Sequence, residues 1–204
     1  PKWHHVKVGA SAHIHRALWK DGKPDFFDKD DALGMSSLMK QYLAGLLAHS
    51  AETTYFLAPY INSYKRFAKG TFAPTRIIWS VDNRTAGYRV CGAGSKGVRV
   101  ECRIGGSDIN PYLAIATQLA AGLAGIEAGL ELPPATTGDV YKGRSAMLPA
   151  SLRDARAAMM KSKMLRSAFG EGVVRHYARA AEWEIDEFDR IVTDYEVARG
   201  FERA

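Results

Sequence analysis

The stretch 97–106, GVRVECRIGG, alternates between charged and apolar side chains. Successive side chains of a β-strand point to opposite faces, so this segment would carry its charges on one face only. The charged set is Arg99, Glu101 and Arg103, and the apolar set is Val98, Val100, Cys102 and Ile104. The apolar face predicts packing on a core, and the charged face is either an ordinary solvated surface or part of a binding site for an ionic ligand.

The segments around this strand predict an α+β fold. Alternating patterns indicate further strands, and a Gly-rich turn, CGAGSKG, leads into 97–104. Asn110 followed by Pro111 marks the start of a helix that is apolar nearly all round and should therefore be buried. We expect antiparallel strands with helices packed on one side. The predicted strands are 6–18, 75–82, 85–91 and 97–104, and the predicted helices are 35–50, 111–130, 151–170 and 172–199.

Length and composition are those of an ordinary globular protein. The chain has 204 residues, of which 47% are hydrophobic and 25% are charged. It contains neither a long apolar run typical of a transmembrane helix nor the apolar core of a signal peptide. Cys91 and Cys102 lack a CxxC spacing, so two reduced thiols in a cytoplasmic protein are expected. The chain opens without Met inside a strand-like pattern, and we therefore expect a piece of a longer protein.

Positive charge is concentrated in one part of the chain. The formal net charge is +6, yet residues 171–204 carry nine acidic and five basic side chains. Between Lys65 and Arg103 there are nine basic residues against two acidic ones, a concentration that indicates an anionic partner. Because the bases follow predicted strands and no zinc-finger or RNP-like motif accompanies them, nucleic acid is disfavoured. A small molecule that carries phosphate and carboxylate groups fits at least as well.

Several of these residues have the chemistry of a phosphoryl-transfer site. His13 and His15, in HIH, would share one strand face and could bind a cation or divide a cation and a phosphate between them. Glu101 lies between two arginines that should keep it ionised, which makes it a suitable ligand for a hard metal beside His13. Arginines suit carboxylate and phosphate, and no Walker-type loop is present. These parts predict nucleotide-dependent phosphoryl transfer.

A set of motifs, read in order, resembles the catalytic C-terminal part of the glutamine synthetase family. The match runs from about residue 8 to the end and follows SAHIHRALWKDGK, PYINSYKRF, APT, DNRTAGYRV, RVECRIGGSDINPYLAIATQLAAGLAGIE and VTDYEVARGFERA. The resemblance implies a partial β-barrel with packed helices. It also implies that ATP phosphorylates the γ-carboxylate of glutamate and that an amine then displaces phosphate.

The resemblance also implies a role for individual residues. His13 and Glu101 would be ligands of Mg²⁺ or Mn²⁺, and His15, Arg89 and Arg99 would bind ATP. Gly9, Arg66 and Arg103 would bind the amino-acid substrate, and Arg84 would contact the transferred phosphoryl group. The charged face of 97–104 then belongs to the binding site.

Two positions depart from the family pattern. Thr71 and Phe72 stand where glutamine synthetases carry a Tyr-Glu pair, whose carboxylate binds ammonium, and Val8 stands where an Asn is expected. An aromatic ring at Phe72 would suit the carbon chain of a larger amine, so we favour the γ-glutamyl-polyamine or γ-glutamyl-monoamine ligase branch. The alternatives are glutamine synthetase proper and a non-catalytic homologue that binds nucleotide or serves as a scaffold.

The resemblance covers only part of a family member. Residues 1–204 would be the C-terminal portion of the catalytic domain, without the N-terminal β-grasp domain and the first catalytic strands. Since only His13 and Glu101 would remain of a two-metal site, we expect this chain by itself to be inactive and prone to associate. The full-length protein would form a homo-oligomeric ring, with glutamate, ATP and an amine as its partners and no membrane partner.

Overall fold

A computed structural model describes residues 1–203 and places the alternating stretch inside a four-stranded sheet. The central strand β6 (Arg99–Cys102) pairs antiparallel with β1 (Ile14–Arg16) on one side and with β5 (Tyr88–Cys91) on the other. The outer strand β4 (Trp79–Val81) lies next to β5. The α+β class is therefore confirmed, and the described strands do not close into a barrel.

One strand pair differs from the antiparallel expectation. β4 runs parallel to β5, with Trp79 opposite Tyr88 and Val81 opposite Val90. The segment 82–87 carries the chain back along the sheet before β5 begins, and Asp82 starts this return with a φ of 46°. A simple hairpin between the two strands would have required a tight reversal instead.

The predicted first strand is much shorter than 6–18. Only Ile14–Arg16 form regular pairs with β6, and Ser11 makes a single isolated bridge to Gly106. A small hairpin follows, formed by β2 (Trp19–Lys20) and β3 (Lys23–Pro24). Its turn residues Asp21 and Gly22 both have positive φ, 49° and 73°, which matches the Asp-Gly preference of tight hairpin turns.

The apolar face of the sheet packs on two helices, α1 (Ser37–Ala48) and α4 (Pro111–Glu127). The side chains of Ser36 and Asn110 cap these helices, each by accepting hydrogen bonds from backbone N–H groups of the first turn. The two helices approach closely at Gly45: a Cβ placed there would lie 2.2 Å from the carbonyl oxygen of Ala121. The small residues of α4 thus allow close contact between the two backbones.

The expectation that α4 is buried all round is wrong. Its small residues and Thr117 and Gln118 face the core, whereas Ile115, Leu119 and Leu123 are between 40% and 50% exposed. The reason is that α1 and the sheet cover one side of α4, and no described residue covers these three side chains to the same degree.

The other helices form a second layer around their own apolar cluster. The two long helices predicted for 151–170 and 172–199 are each divided. Ser162 leaves the helical conformation and caps the next helix through Leu165, and Thr193 forms a capping box with Glu196. The helices of this layer are α2 (Ser50–Leu57), α3 (Ile61–Tyr64), α5 (Leu152–Lys161), α6 (Lys163–Phe169) and α7 (Glu171–Asp189). The last helix, α8 (Asp194–Phe201), has no buried residue.

Candidate active site

A buried carboxylate, Glu101, lies at the centre of the charged face of the sheet, with a side chain only 3% exposed. Arg89 donates from Nε to its Oε2 atom at 2.8 Å, and Arg103 donates from Nη1 to its Oε1 atom at 2.9 Å. Burial of a carboxylate is costly unless charged hydrogen-bond donors surround it, as they do here. The charged face is therefore not a solvated surface, and the first interpretation of the stretch 97–106 is excluded.

Two imidazoles approach the same carboxylate. His13 Nδ1 lies 3.1 Å and His15 Nε2 lies 3.6 Å from Oε1 of Glu101. Burial lowers the pKa of both histidines below the usual 6.5; Arg103 acts in the same direction on His13, and Glu101 opposes the shift in both. Both rings are therefore neutral near pH 7, and each carries a single nitrogen lone pair.

The residues Arg99 and Cys91 complete this cluster. Arg99 donates from Nε to His15 Nδ1 at 3.2 Å and from Nη1 to the carbonyl of Gly97 at 3.1 Å. Cys91 was interpreted only as a reduced thiol; it is indeed free, but its Sγ lies 3.0 Å from Nε of Arg89 and 3.8 Å from Oε2 of Glu101. The two-residue spacing from Arg89 on a strand was the available signal for this contact.

A small cavity of about 70 Å³ lies beside the cluster and collects the predicted amino-acid-binding residues. Arg66 is 4% exposed and donates from Nη2 to the carbonyl of Ile104. Burial lowers its pKa to about 10, so it remains protonated at neutral pH. Gly9 packs directly on this side chain, because a Cβ at Gly9 would lie 2.9 Å from Cγ of Arg66. The lining consists of Gly9, Ser11, His13, Arg66, Thr71, Phe72, Ala73 and Arg103.

Phe72 lies at the edge of this cavity in an unusual backbone conformation. Its φ is 57°, a value that bulky residues rarely adopt, and its side chain is 63% exposed. The neighbouring residues are held in place: Thr71 donates from Oγ1 to the carbonyl of Ala68 at 2.6 Å, and the Tyr141 hydroxyl donates to the carbonyl of Ala73 at 3.1 Å. The loop thus presents an aromatic ring to the cavity mouth.

This geometry agrees with a comparison of the sequence to protein families. The family model described as glutamine synthetase, catalytic domain, matches residues 1–200. The chain belongs to the glutamine synthetase family.

The names of individual relatives in this family refer to different amine acceptors. The chain is 46% identical over 196 residues to γ-glutamylethanolamide synthetase GlnA4 of Streptomyces coelicolor, and the match covers 96% of this chain and 42% of that protein. It is 37% identical to glutamate–isopropylamine ligase of a Pseudomonas species, over 94% of this chain and 42% of that protein. Glutamine synthetase of Thermus thermophilus is also 37% identical, over 94% of this chain and 45% of that protein.

A solved structure shows the same fold. The structure "GmaS/ADP complex-Conformation 1" superposes with a TM-score of 0.88 at 28% identity, and the match covers 99% of this chain and 48% of that one. The chain therefore spans less than half the length of these relatives.

Within this glutamine synthetase fold, one predicted residue stands apart from the cluster. The backbone carbonyl of Arg84 accepts a hydrogen bond from Arg103 Nε at 2.8 Å. Its guanidinium is exposed and makes no hydrogen bond within residues 1–203. The contact of Arg84 with a transferred phosphoryl group stays a prediction. Val8, the other departure noted in the sequence, is 64% exposed and does not line the cavity.

The family is generally dependent on ATP and a divalent metal, and the residues present fit only part of a metal site. Glu101 and His13 offer a carboxylate oxygen and a neutral imidazole nitrogen, and carboxylates suit Mg²⁺ and Mn²⁺. However, no group of three or more His, Cys, Asp or Glu side chains is placed to hold a metal ion in the described residues. Separately, no helix within residues 1–203 is long and apolar enough to cross a membrane.

Proposed function

We propose that the protein containing this chain is an ATP-dependent ligase that joins the γ-carboxylate of glutamate to an organic amine. The observation that carries the proposal is the 70 Å³ cavity, which is lined by Arg66, Arg103 and His13 and by no acidic residue among those described. Such a cavity suits the α-carboxylate of glutamate, because guanidiniums bind carboxylates through paired hydrogen bonds. It adjoins the Glu101 cluster through the shared residues His13 and Arg103.

Each arginine of the cavity retains a free donor. Arg66 Nη1 and Nε and Arg103 Nη2 make no hydrogen bond within residues 1–203. Arg66 Nη2 donates to the carbonyl of Ile104, and Arg103 Nη1 and Nε donate to Glu101 and to the carbonyl of Arg84. The free donors can bind a substrate carboxylate without disturbing these contacts. The absence of a side chain at Gly9 lets its backbone lie directly on Arg66.

The proposed reaction has two steps. A γ-carboxylate oxygen of glutamate attacks the γ-phosphorus of ATP and ADP leaves, which gives γ-glutamyl phosphate. The amine nitrogen then attacks the acyl carbon, phosphate leaves, and the nitrogen loses a proton to solvent. Arg89, which contacts Glu101, and Arg99, which contacts His15, are proposed to bind phosphate oxygens as negative charge shifts between the reactants. Glu101 and His13 would help to hold Mg²⁺ or Mn²⁺, which would supply positive charge to the phosphates.

The proposed acceptor is a monoamine, an amine whose carbon chain carries no second charged group. The cavity mouth offers the ring of Phe72 and no carboxylate from the described residues, so ammonium would lack a counter-charge there. The same absence disfavours a diamine such as putrescine, whose second ammonium group would also lie unpaired. The names of two relatives, an ethanolamide synthetase and an isopropylamine ligase, support this acceptor class.

Steady-state assays of the full-length protein with ATP and glutamate test the proposal. We expect kcat/KM to be highest for ethanolamine or a small alkylamine, lower for putrescine and lowest for ammonium. A clear preference for ammonium would favour glutamine synthetase proper, for which the similarity to the Thermus thermophilus enzyme is the supporting observation. No amide product with any amine would favour a non-catalytic homologue.

Two further expectations remain proposals. Because the described residues supply only Glu101 and His13 to a metal, residues 1–204 alone should form no measurable amide in the same assay. The full-length protein should form a closed ring of identical subunits, which mass photometry would measure. Amide formation by the isolated chain, or a monomeric full-length protein, would contradict the respective expectation.

A further inference from the structure

A second cavity, of about 330 Å³, lies apart from the candidate active site and shares no lining residue with it. It is enclosed by α2, by the beginning of α4 and by α7. No residue of the proposed ligase chemistry lies in its wall. The proposed ligase chemistry therefore assigns no ligand to this cavity.

The walls of this cavity are aromatic. Phe56 packs edge-on against Tyr55, with ring centroids 5.1 Å apart, and edge-on against Tyr177 at 5.5 Å. Tyr60 and Trp183 also line the cavity and are 50% and 58% exposed. Faces of aromatic rings carry negative electrostatic potential, so a group of them around one space favours a cation.

The charged groups of the cavity are all acidic. Glu184 and Asp108 line it, and the lining contains no Lys, Arg or His from the described residues. Asp108 is engaged through one oxygen: the Ser63 hydroxyl donates to its Oδ2 at 2.6 Å, whereas its buried Oδ1 accepts no hydrogen bond within residues 1–203. Glu184 makes neither an ion pair nor a hydrogen bond within residues 1–203. The half-buried carboxylate of Glu184 thus lacks a counter-charge.

The hydroxyl of Tyr55 adds a neutral donor. Burial, together with the nearby Tyr177, Tyr60 and Glu184, raises the pKa of Tyr55 to about 12. The phenol therefore stays protonated across the physiological range and does not compete with Glu184 as a negative charge.

We propose that this cavity binds an organic ammonium ion, with its carbon substituents against Tyr55, Tyr177 and Trp183 and its positive charge facing Glu184. The rings remove the apolar substituents from water, and the carboxylate supplies the missing counter-charge. An uncharged ligand of the same shape would gain only the first contribution. The proposal does not depend on the ligase function.

Calorimetric titration of the full-length protein with choline tests this site. Choline has no N–H group and cannot serve as an acceptor amine, so binding here is separable from turnover. The neutral isostere 3,3-dimethylbutan-1-ol has the same shape without the charge. We expect saturable binding of choline with one site per chain, and at least about ten-fold weaker binding of the isostere, since the isostere forms neither a cation–π contact with the rings nor an ion pair with Glu184.

Two substitutions on one helix provide a matched comparison. Glu184→Gln removes the cavity carboxylate, and Asp186→Asn makes the same chemical change on an exposed side of α7. We expect choline affinity to fall at least about five-fold in the first and to stay unchanged in the second. Trp183→Leu, at a largely exposed position that should tolerate the change, should weaken binding as well. Absence of saturable binding in the wild type, equal binding of the isostere, or equal affinity of the Glu184→Gln and Asp186→Asn variants would overturn the proposal.

Discussion

Arg89 and Glu101 face each other across the β5–β6 pair, and Nε of the arginine lies 2.8 Å from Oε2 of the carboxylate. The sheet register fixes this relationship, because the two residues are direct cross-strand partners. A second guanidinium, that of Arg103, contacts the other carboxylate oxygen. The pairing of β5 with β6 therefore fixes the positions of Arg89 and Glu101 relative to each other.

Replacing Glu101 with Gln should strongly destabilise the protein. The change leaves Arg89 and Arg103 close together without a counter-charge, and breaking a buried ion pair in this way costs roughly 3–5 kcal/mol. Urea unfolding would measure the loss. Glu127→Gln, at an exposed position at the end of α4, is the control and should change stability by less than about 0.5 kcal/mol. Equal stability of the two variants would contradict the account of the cluster.

Replacing Phe72 with Glu should shift the acceptor preference towards ammonium. The new carboxylate would lie at the mouth of a cavity whose described lining has no acidic group. We expect the ratio of kcat/KM for ammonium to that for ethanolamine to rise about ten-fold, which corresponds to roughly 1.4 kcal/mol. Phe72→Leu keeps an apolar side chain and should retain the original preference. A ratio that moves equally in both variants would show that charge at this position is not responsible.

A contact between helices should make stability depend on pH. Burial raises the pKa of Glu52, but hydrogen bonds from His49 and Ser162 outweigh it, so the pKa lies below the usual 4.5. A carboxyl group with a depressed folded-state pKa stabilises the fold above its unfolded pKa, and this contribution is lost as the pH falls through the folded value. Glu52→Gln should therefore reduce stability at pH 7 and have a smaller effect at pH 3. Unfolding measured at both pH values tests this, and an equal loss at both would contradict it.

The crossing of α1 and α4 should tolerate no side chain at Gly125. A Cβ there would lie 2.4 Å from the carbonyl oxygen of Gln41 and 2.5 Å from Cα of Gly45. Gly125→Ala should lower the free energy of unfolding by about 1–3 kcal/mol. Gly172→Ala is the matched control in α7, where nothing lies within 4 Å of the added Cβ, and it should stabilise the helix slightly. Thermal unfolding would separate the two, and an unchanged Gly125→Ala variant would exclude the close contact.

The sequence alone predicted which side chains of β6 share a face and which residues lie around Glu101. Period-two spacing places Arg99 and Arg103 on the face of Glu101, and the structure confirms that the opposite face is buried. The same logic would have placed Cys91 beside Arg89. The parallel pairing of β4 could not be predicted, since it depends on how 82–87 returns along the sheet.

The helix breaks and the exposed face of α4 depend on tertiary packing, which a local sequence pattern does not predict. The breaks at Ser162 and Thr193 lie within otherwise helical stretches, where a capping side chain competes with continuation of the helix. Burial of the whole of α4 was predicted because its composition is apolar. Composition alone does not determine which neighbouring elements cover a helix. The motif likewise does not record that the guanidinium of Arg84 is exposed and makes no hydrogen bond within residues 1–203.

The most direct test of the ligase account follows one oxygen atom. Glutamate labelled with ¹⁸O in its γ-carboxylate is incubated with ATP, an amine and the full-length protein, and the phosphate released is analysed by mass spectrometry. Transfer of the γ-phosphoryl group to the carboxylate predicts phosphate that carries one ¹⁸O atom for each amide formed. Amide formation with unlabelled phosphate would contradict an acyl phosphate intermediate and, with it, the role proposed for this cluster of arginines around Glu101.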